Sequence, residues 1–172
     1  MKKILTAYFS HSGENYFSGK IIKIEEGNTA IVAKKIAAMT GCDLFEIKRA
    51  EPYPEKYTDC VKESREELKA DARPKLSEYK DVSGYDVVIL GYPNWCGTMP
   101  MPVFAFLDST NFEGKKILPL CTNEGSGLAR STDDIKKLCP NADVCEGLSV
   151  KGSQAKESDD IVREWLKKNA LL

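Results

Sequence analysis

Asp86-Val87-Val88-Ile89-Leu90 runs straight into Gly91-Tyr92-Pro93-Asn94-Trp95-Cys96-Gly97-Thr98-Met99-Pro100. The first five residues are a near-continuous β-branched run, the pattern of a strand covered on both faces. The ten that follow carry two glycines and two prolines, which end regular structure, and one tryptophan. In such a loop the indole offers a flat apolar face that suits a planar aromatic ligand. Packing beneath its own loop is the plainer use of a Trp.

Upstream, Lys3 to Phe9 reads as another buried strand, closed by the polar Ser10-His11-Ser12-Gly13. Val32, Ile36 and Met39, with Ala33 and Ala37 beside them, repeat at helical spacing. They predict a helix over 28–39 with Asn28 as N-cap and Gly41 as stop. Asp43 to Lys48 is a short strand, and Glu51-Pro52-Tyr53-Pro54 excludes regular structure. Lys56 to Lys69 is a charged helix with little apolar surface (Tyr57, Val61, Leu68), expected on the outside.

Downstream, the pattern predicts a helix over 103–107, a buried strand over 116–121 and a helix over 131–138. Asp133 and Asp134 suit the first turn of that helix. An interrupted strand over 142–150 follows, then a helix over 157–168 with Ile161, Trp165 and Leu166 inward. Strand and helix thus alternate about five times, which specifies a parallel sheet with helices on both faces. The expected fold class is α/β: a three-layer, doubly wound, five-stranded parallel sheet in the order 2-1-3-4-5. Such a sheet places its ligand beyond the carboxyl ends of its strands, so function belongs in the loops after strands one, three and four.

The bulk numbers agree with one domain over 1–172. Apolar residues are 42% and charged residues 30% of the chain, an ordinary globular balance that excludes disorder. A net charge of -1 points to neither nucleic acid nor an anionic membrane surface. No apolar stretch approaches the ~18 residues that span a bilayer, and Ser10-His11-Ser12-Gly13 is not a signal-cleavage site. A cytoplasmic location is expected, where Cys42, Cys60, Cys96, Cys121, Cys139 and Cys145 stay reduced. No C-x-x-C occurs and the lone histidine is remote in sequence, so no metal site is expected.

The first loop joins Ser10, His11 and Ser12 to Asn28 and Thr29, which open the helix. Small hydroxyl residues and free amides at a helix N-terminus form an anion site; simple capping is the alternative. G-x-G-x-x-G and G-x-x-x-x-G-K-[ST] are both absent, which disfavours a dinucleotide fold and excludes a triphosphatase loop. The loop after strand four is Thr122-Asn123-Glu124-Gly125-Ser126-Gly127. Its glycines allow close backbone approach, and its side chains can bond polar ring edges. Glu124 stands where G-x-S-x-G needs its first glycine, so no esterase elbow is present. A phosphate cradle, an aromatic wall and a polar glycine loop at one crevice fit a ligand with a phosphate at one end and a flat heterocycle at the other. FMN is such a ligand.

These residues resemble the flavodoxin family, and within it the small bacterial flavodoxin-like proteins. The Gly91–Pro100 stretch carries most of the likeness, supported by Ala50-Glu51-Pro52-Tyr53-Pro54, Ala72-Arg73-Pro74-Lys75-Leu76 and Thr122 to Gly127. The resemblance implies that Ser10, His11, Ser12, Asn28 and Thr29 hold the FMN phosphate. Pro93, Asn94, Trp95, Cys96 and Gly97 would hold the isoalloxazine. Thr122, Asn123, Gly125, Ser126 and Gly127 would touch its pyrimidine edge or the ribityl chain. No side chain is expected to act as acid or base, because the redox chemistry belongs to the flavin. The Cys96–Gly97 peptide is expected near flavin N5, with Gly97 free to let it rotate.

Two departures stand out. An insertion at about 14–26 splits the phosphate loop, and Lys20-Ile21-Ile22-Lys23-Ile24-Glu25 alternates like a small hairpin arm. Lid, dimer contact and surface ornament are all open to it. Cys96 stands where relatives often carry a second tryptophan. His11 beside a phosphate would have a raised pKa and add a charge-assisted hydrogen bond. The expected function is electron transfer, with redox proteins or a small-molecule acceptor as partners and a monomer or weak homodimer as the assembly. The alternative is an FMN-dependent NAD(P)H:quinone or small-molecule reductase on the same fold. The weak net charge counts against a carrier that docks basic partners; the short loops and lack of an added domain count against the enzyme.

Overall fold

The computed structural model describes residues 1–172. Along the chain come β1 (Ile4–Tyr8), β2 (Gly13–Phe17), β3 (Lys20–Ile24), α1 (Asn28–Thr40), β4 (Asp43–Glu46), α2 (Tyr57–Lys69) and β5 (Val87–Pro93). Then follow α3 (Met101–Asp108), β6 (Lys116–Asn123), α4 (Ser131–Leu138), β7 (Asp143–Val144), β8 (Leu148–Lys151), a short 3₁₀ helix (Gly152–Glu157) and α5 (Asp159–Lys168).

The sheet runs β4-β1-β5-β6, with β7 and β8 both beyond β6, and every pairing in it is parallel. With β7 and β8 counted as one broken strand, this is the 2-1-3-4-5 order. The break lies opposite Pro119, which has no N–H to donate. Lys116 pairs with Asp143 and Leu120 with Leu148, so the edge strand accommodates one extra residue there, a bulge.

The β-branched run does what its pattern requires. Val87 and Ile89 pack on one face with Val32 and Ile36 of α1 and Val162 and Leu166 of α5. Val88 and Leu90 pack on the other with Leu5, Val103 and Phe106. Alternate residues serve opposite cores because successive side chains in a strand point to opposite faces. All the switch-point loops therefore open at one sheet edge, the carboxyl ends of β1, β5 and β6.

Three expectations need correction. Gly27, not Asn28, is the N-cap of α1, and no side chain of its own caps the helix; Gly41 does end it in the left-handed conformation. Ile161 is 48% exposed, and Val162 takes the inward place. Val162, Trp165 and Leu166 make the apolar stripe at i, i+3, i+4, and Ile161 falls one residue out of phase. Helix α2 is not merely an outer element: Cys60 and Ser64 are buried, and its face turns toward the switch-point edge.

The six cysteines are free thiols, with Cys60, Cys121 and Cys139 buried and Cys96 exposed. No helix is long and apolar enough to cross a membrane.

Candidate functional site

The split phosphate loop closes again in three dimensions. Ser10 Oγ accepts the Ala30 N–H at 3.1 Å, so a residue from before the insertion caps the helix that begins after it. Gly27 lies hard against the same segment, with space for no side chain between it and Ser10. The inserted residues loop out as the antiparallel β2–β3 hairpin, turning at Ser18 and Gly19, both with positive φ. The arm thus begins at Gly13, earlier than the Lys20–Glu25 alternation suggests. The backbone amides of Asn28 and Thr29, in the first turn of α1, have no helical acceptor and remain for an anion.

Trp95 is held by edge contacts from three sides. Phe9, Tyr53 and His11 meet its ring at centroid distances of 5.1, 5.0 and 5.7 Å. Its backbone pairs with Thr98 in both directions, and Cys96 and Gly97 between them have φ of 55° and 83°. A two-residue turn with both φ positive is the primed hairpin type that suits Gly at its second position. Asn94 pins this turn: its Oδ1 accepts the Gly97 N–H at 3.0 Å, and its Nδ2 donates to the Gly127 carbonyl at 3.0 Å. Thr98 donates to Asp134 at 2.5 Å, fixing the base of the turn to α4.

The third loop winds around Asn123, whose Oδ1 accepts the N–H groups of Gly125 and Gly127. Glu124 points away from the turn and accepts the N–H and hydroxyl of Ser153 at 2.9 and 3.0 Å. Thr122 and Thr29 share a buried hydroxyl–hydroxyl bond of 2.7 Å, tying the third loop to the first.

One cavity of about 430 Å³ collects these loops. Of the sequence candidates, His11, Asn28, Thr29, Pro93, Asn94, Trp95, Cys96, Thr122, Asn123 and Ser126 line it. Ser10 does not, because its hydroxyl serves the helix cap, and Ser12 is exposed and does not line it. Gly97, Gly125 and Gly127 shape the turns without reaching the cavity wall. The sequence reading missed a whole wall: Glu14, Asn15 and Tyr16 of the hairpin, and Tyr57, Cys60, Val61, Ser64 and Arg65 of α2. Glu124 and Gly152 also line it. The spacing of Tyr57, Val61 and Arg65, four residues apart, was the available signal for one helical stripe.

The cavity is poor in charge compensation. His11 Nε2 is buried and has no hydrogen-bond partner. Burial pushes the imidazole below its ordinary pKa, against a weaker upward pull from Glu55. The raised value expected beside a phosphate is therefore not a property of the protein alone. Burial also pushes the Cys60 thiol up to about 12. Glu14 is engaged, accepting the Tyr57 N–H at 2.8 Å.

Fold and site together define an α/β protein of the flavodoxin type, with the amide-bearing start of α1 beside an aromatic-walled crevice. The Flavodoxin family model matches residues 3–169, and the chain belongs to that family. It is similar to a candidate flavoprotein from Bacteroides eggerthii DSM 20697, at 29% identity over 99% of each chain and a TM-score of 0.80. A second, from Bacteroides uniformis ATCC 8492, is 25% identical over 96% of this chain and 98% of that one, with a TM-score of 0.76. A flavoprotein from Lactobacillus acidophilus NCFM, crystallised with FMN, shares the fold at 18% identity, covering 91% of this chain and 98% of that one, with a TM-score of 0.65. No curated protein matches the chain by sequence.

Proposed function

We propose that this chain binds one FMN at the switch-point cavity and passes electrons through it to a small molecule admitted beside it. The carrying observation is the composition of the cavity: free amides at the start of α1 on one wall, Trp95 on another, and a hairpin and helix closing a third. The residues present fit the group. Asn28 and Thr29 offer backbone N–H donors to the phosphate, and the orphaned His11 Nε2 has a polar atom to spend on it. Trp95, braced by Phe9 and Tyr53, offers the flat face for the ring system. Asn94 and Asn123 hold their loops in shape and leave little to reorganise on binding.

Bound FMN supplies one- or two-electron transfer, and the chain supplies position and exclusion of water. The hairpin and α2 favour the reductase reading over the protein carrier, because they wall the crevice rather than leave a flat docking face. The net charge of -1 provides no strong field for a charged redox partner.

The test is an FMN titration followed by visible absorbance, then anaerobic reduction and steady-state NAD(P)H oxidation with a quinone acceptor. One equivalent of FMN bound, with turnover by the protein alone, supports the reading. FMN bound without turnover, but with electrons exchanged with a redox protein, returns the carrier. Protein that takes up no FMN overturns the proposal.

A further inference from the structure

Among the residues that line the cavity, Arg65 is the only arginine or lysine. Arg49, Arg73 and Arg130 pair with carboxylates; Arg65 and Arg163 make no ion pair and no side-chain hydrogen bond, and of these two only Arg65 lines the cavity. The two carboxylates on the cavity wall are already occupied, Glu14 by the Tyr57 N–H and Glu124 by Ser153. Arg65 lies on one stripe of α2 with Tyr57 and Val61, and these three line both the cavity and the groove that adjoins it. They therefore stand at the mouth. The hairpin contributes Tyr16 to the same cavity, and its side chain is 48% exposed. That outer groove also carries Lys62 and Glu66, one of each sign.

We infer that this mouth, formed by Arg65, Tyr57 and Val61 of α2 and Tyr16 of the hairpin, is a binding site for a planar aromatic molecule bearing one negative charge. The inference rests on the reading of the inner cavity as the FMN site. The rings of Tyr57 and Tyr16 and the Val61 side chain offer apolar surface to a flat ring. A free guanidinium presents a rigid fork that matches a carboxylate or sulfonate with two parallel hydrogen bonds. The cofactor phosphate has its own receptor in the backbone amides of α1, so Arg65 is left for a second ligand. The hairpin insertion then has a purpose: it supplies the outer wall of a substrate mouth, which a compact phosphate loop would leave open.

The test is calorimetric titration of the FMN-loaded protein with anthraquinone sulfonate and, in parallel, with uncharged hydroxymethyl anthraquinone. The expected result is about threefold tighter binding of the sulfonate, the size of an ion pair at an exposed site such as Arg65. Arg65→Gln is expected to level the two probes, measured on protein that carries one equivalent of FMN. Arg65→Lys, which keeps the charge and loses the fork, should recover part of the preference. Equal binding of both probes by the wild type, or an undiminished preference in Arg65→Gln, overturns the inference. A parallel loss of FMN affinity in Arg65→Gln also overturns it, by assigning the guanidinium to the cofactor. Wild type that takes up no FMN but prefers the sulfonate through Arg65 keeps the mouth and sinks the FMN reading alone.

Discussion

A Cβ placed on Gly27 would lie 2.1 Å from Ser10 Oγ and 2.8 Å from the His11 carbonyl oxygen. These two residues, separated by the whole hairpin insertion, are in contact because the phosphate loop has been cut and rejoined. Only a glycine permits the junction. Gly27→Ala is expected to push the two sides apart and strip the Ser10 cap from α1. The expected loss is about 1–3 kcal/mol in stability, the usual scale of overpacking, with at least a tenfold weaker FMN affinity. Ser10→Ala alone should cost about 1 kcal/mol as a lost cap. Chemical denaturation and an FMN titration check both.

His11 links stability to pH. Its folded pKa lies below the ordinary 6.5 because the ring is buried. The unfolded chain therefore takes up a proton that the folded chain refuses, and stability rises with pH in that window. The His11 contribution is fully present above 6.5, declines below it, and levels off once the folded imidazole also titrates. Thermal melts of wild type and His11→Gln between pH 5 and 8 should diverge only on the acid side of 6.5. Bound phosphate pulls the imidazole pKa upward, so FMN should shrink the difference.

Tyr53 is the brace behind Trp95. Its ring edge meets the indole, Arg49 stacks on it at 3.6 Å, and its hydroxyl donates to Glu67. Tyr53→Phe leaves a half-buried carboxylate short of a donor and is expected to cost about 1–3 kcal/mol. Tyr53→Leu should also free the indole, seen as a red shift of Trp fluorescence and several-fold weaker FMN binding.

The Asn94 side chain holds the Cys96–Gly97 peptide by its N–H. If that peptide rotates during the redox cycle, it must first release Asn94. Gly97→Ala, at a φ of 83°, should destabilise by about 1 kcal/mol and shift the midpoint potential of bound FMN. An unshifted potential in a folded, FMN-loaded variant would mean that the peptide keeps its orientation.

The layers of this protein were legible because they depend on local pattern. Val87 to Leu90 form the doubly covered strand their pattern predicts, although β5 runs on through Gly91, Tyr92 and Pro93, where glycine and proline suggest a loop; the Gly41 stop and a hairpin in the insertion followed from residue type. The phase of α5 was written in the sequence but misassigned: Val162, Trp165 and Leu166 stand at i, i+3, i+4, and the equally apolar Ile161 sits one position outside that stripe. The capping of α1 was hidden: Asn28 is a good cap by type, but Ser10 reaches the helix from across the insertion.

The sequence by itself determined the alternation of strands and helices and the polar and glycine-rich loops that follow strands one, three and four, since each is written in contiguous residues whose periodicity and turn chemistry act over a few positions. Only the tertiary structure decided which of those residues face the cavity and which merely shape it. It also decided that Tyr16 of the hairpin and Tyr57, Val61 and Arg65 of α2 share a wall. Those residues come from elements far apart in the chain, and their meeting depends on how each packs against the sheet. No local pattern encodes such a distance; the buried core sets it.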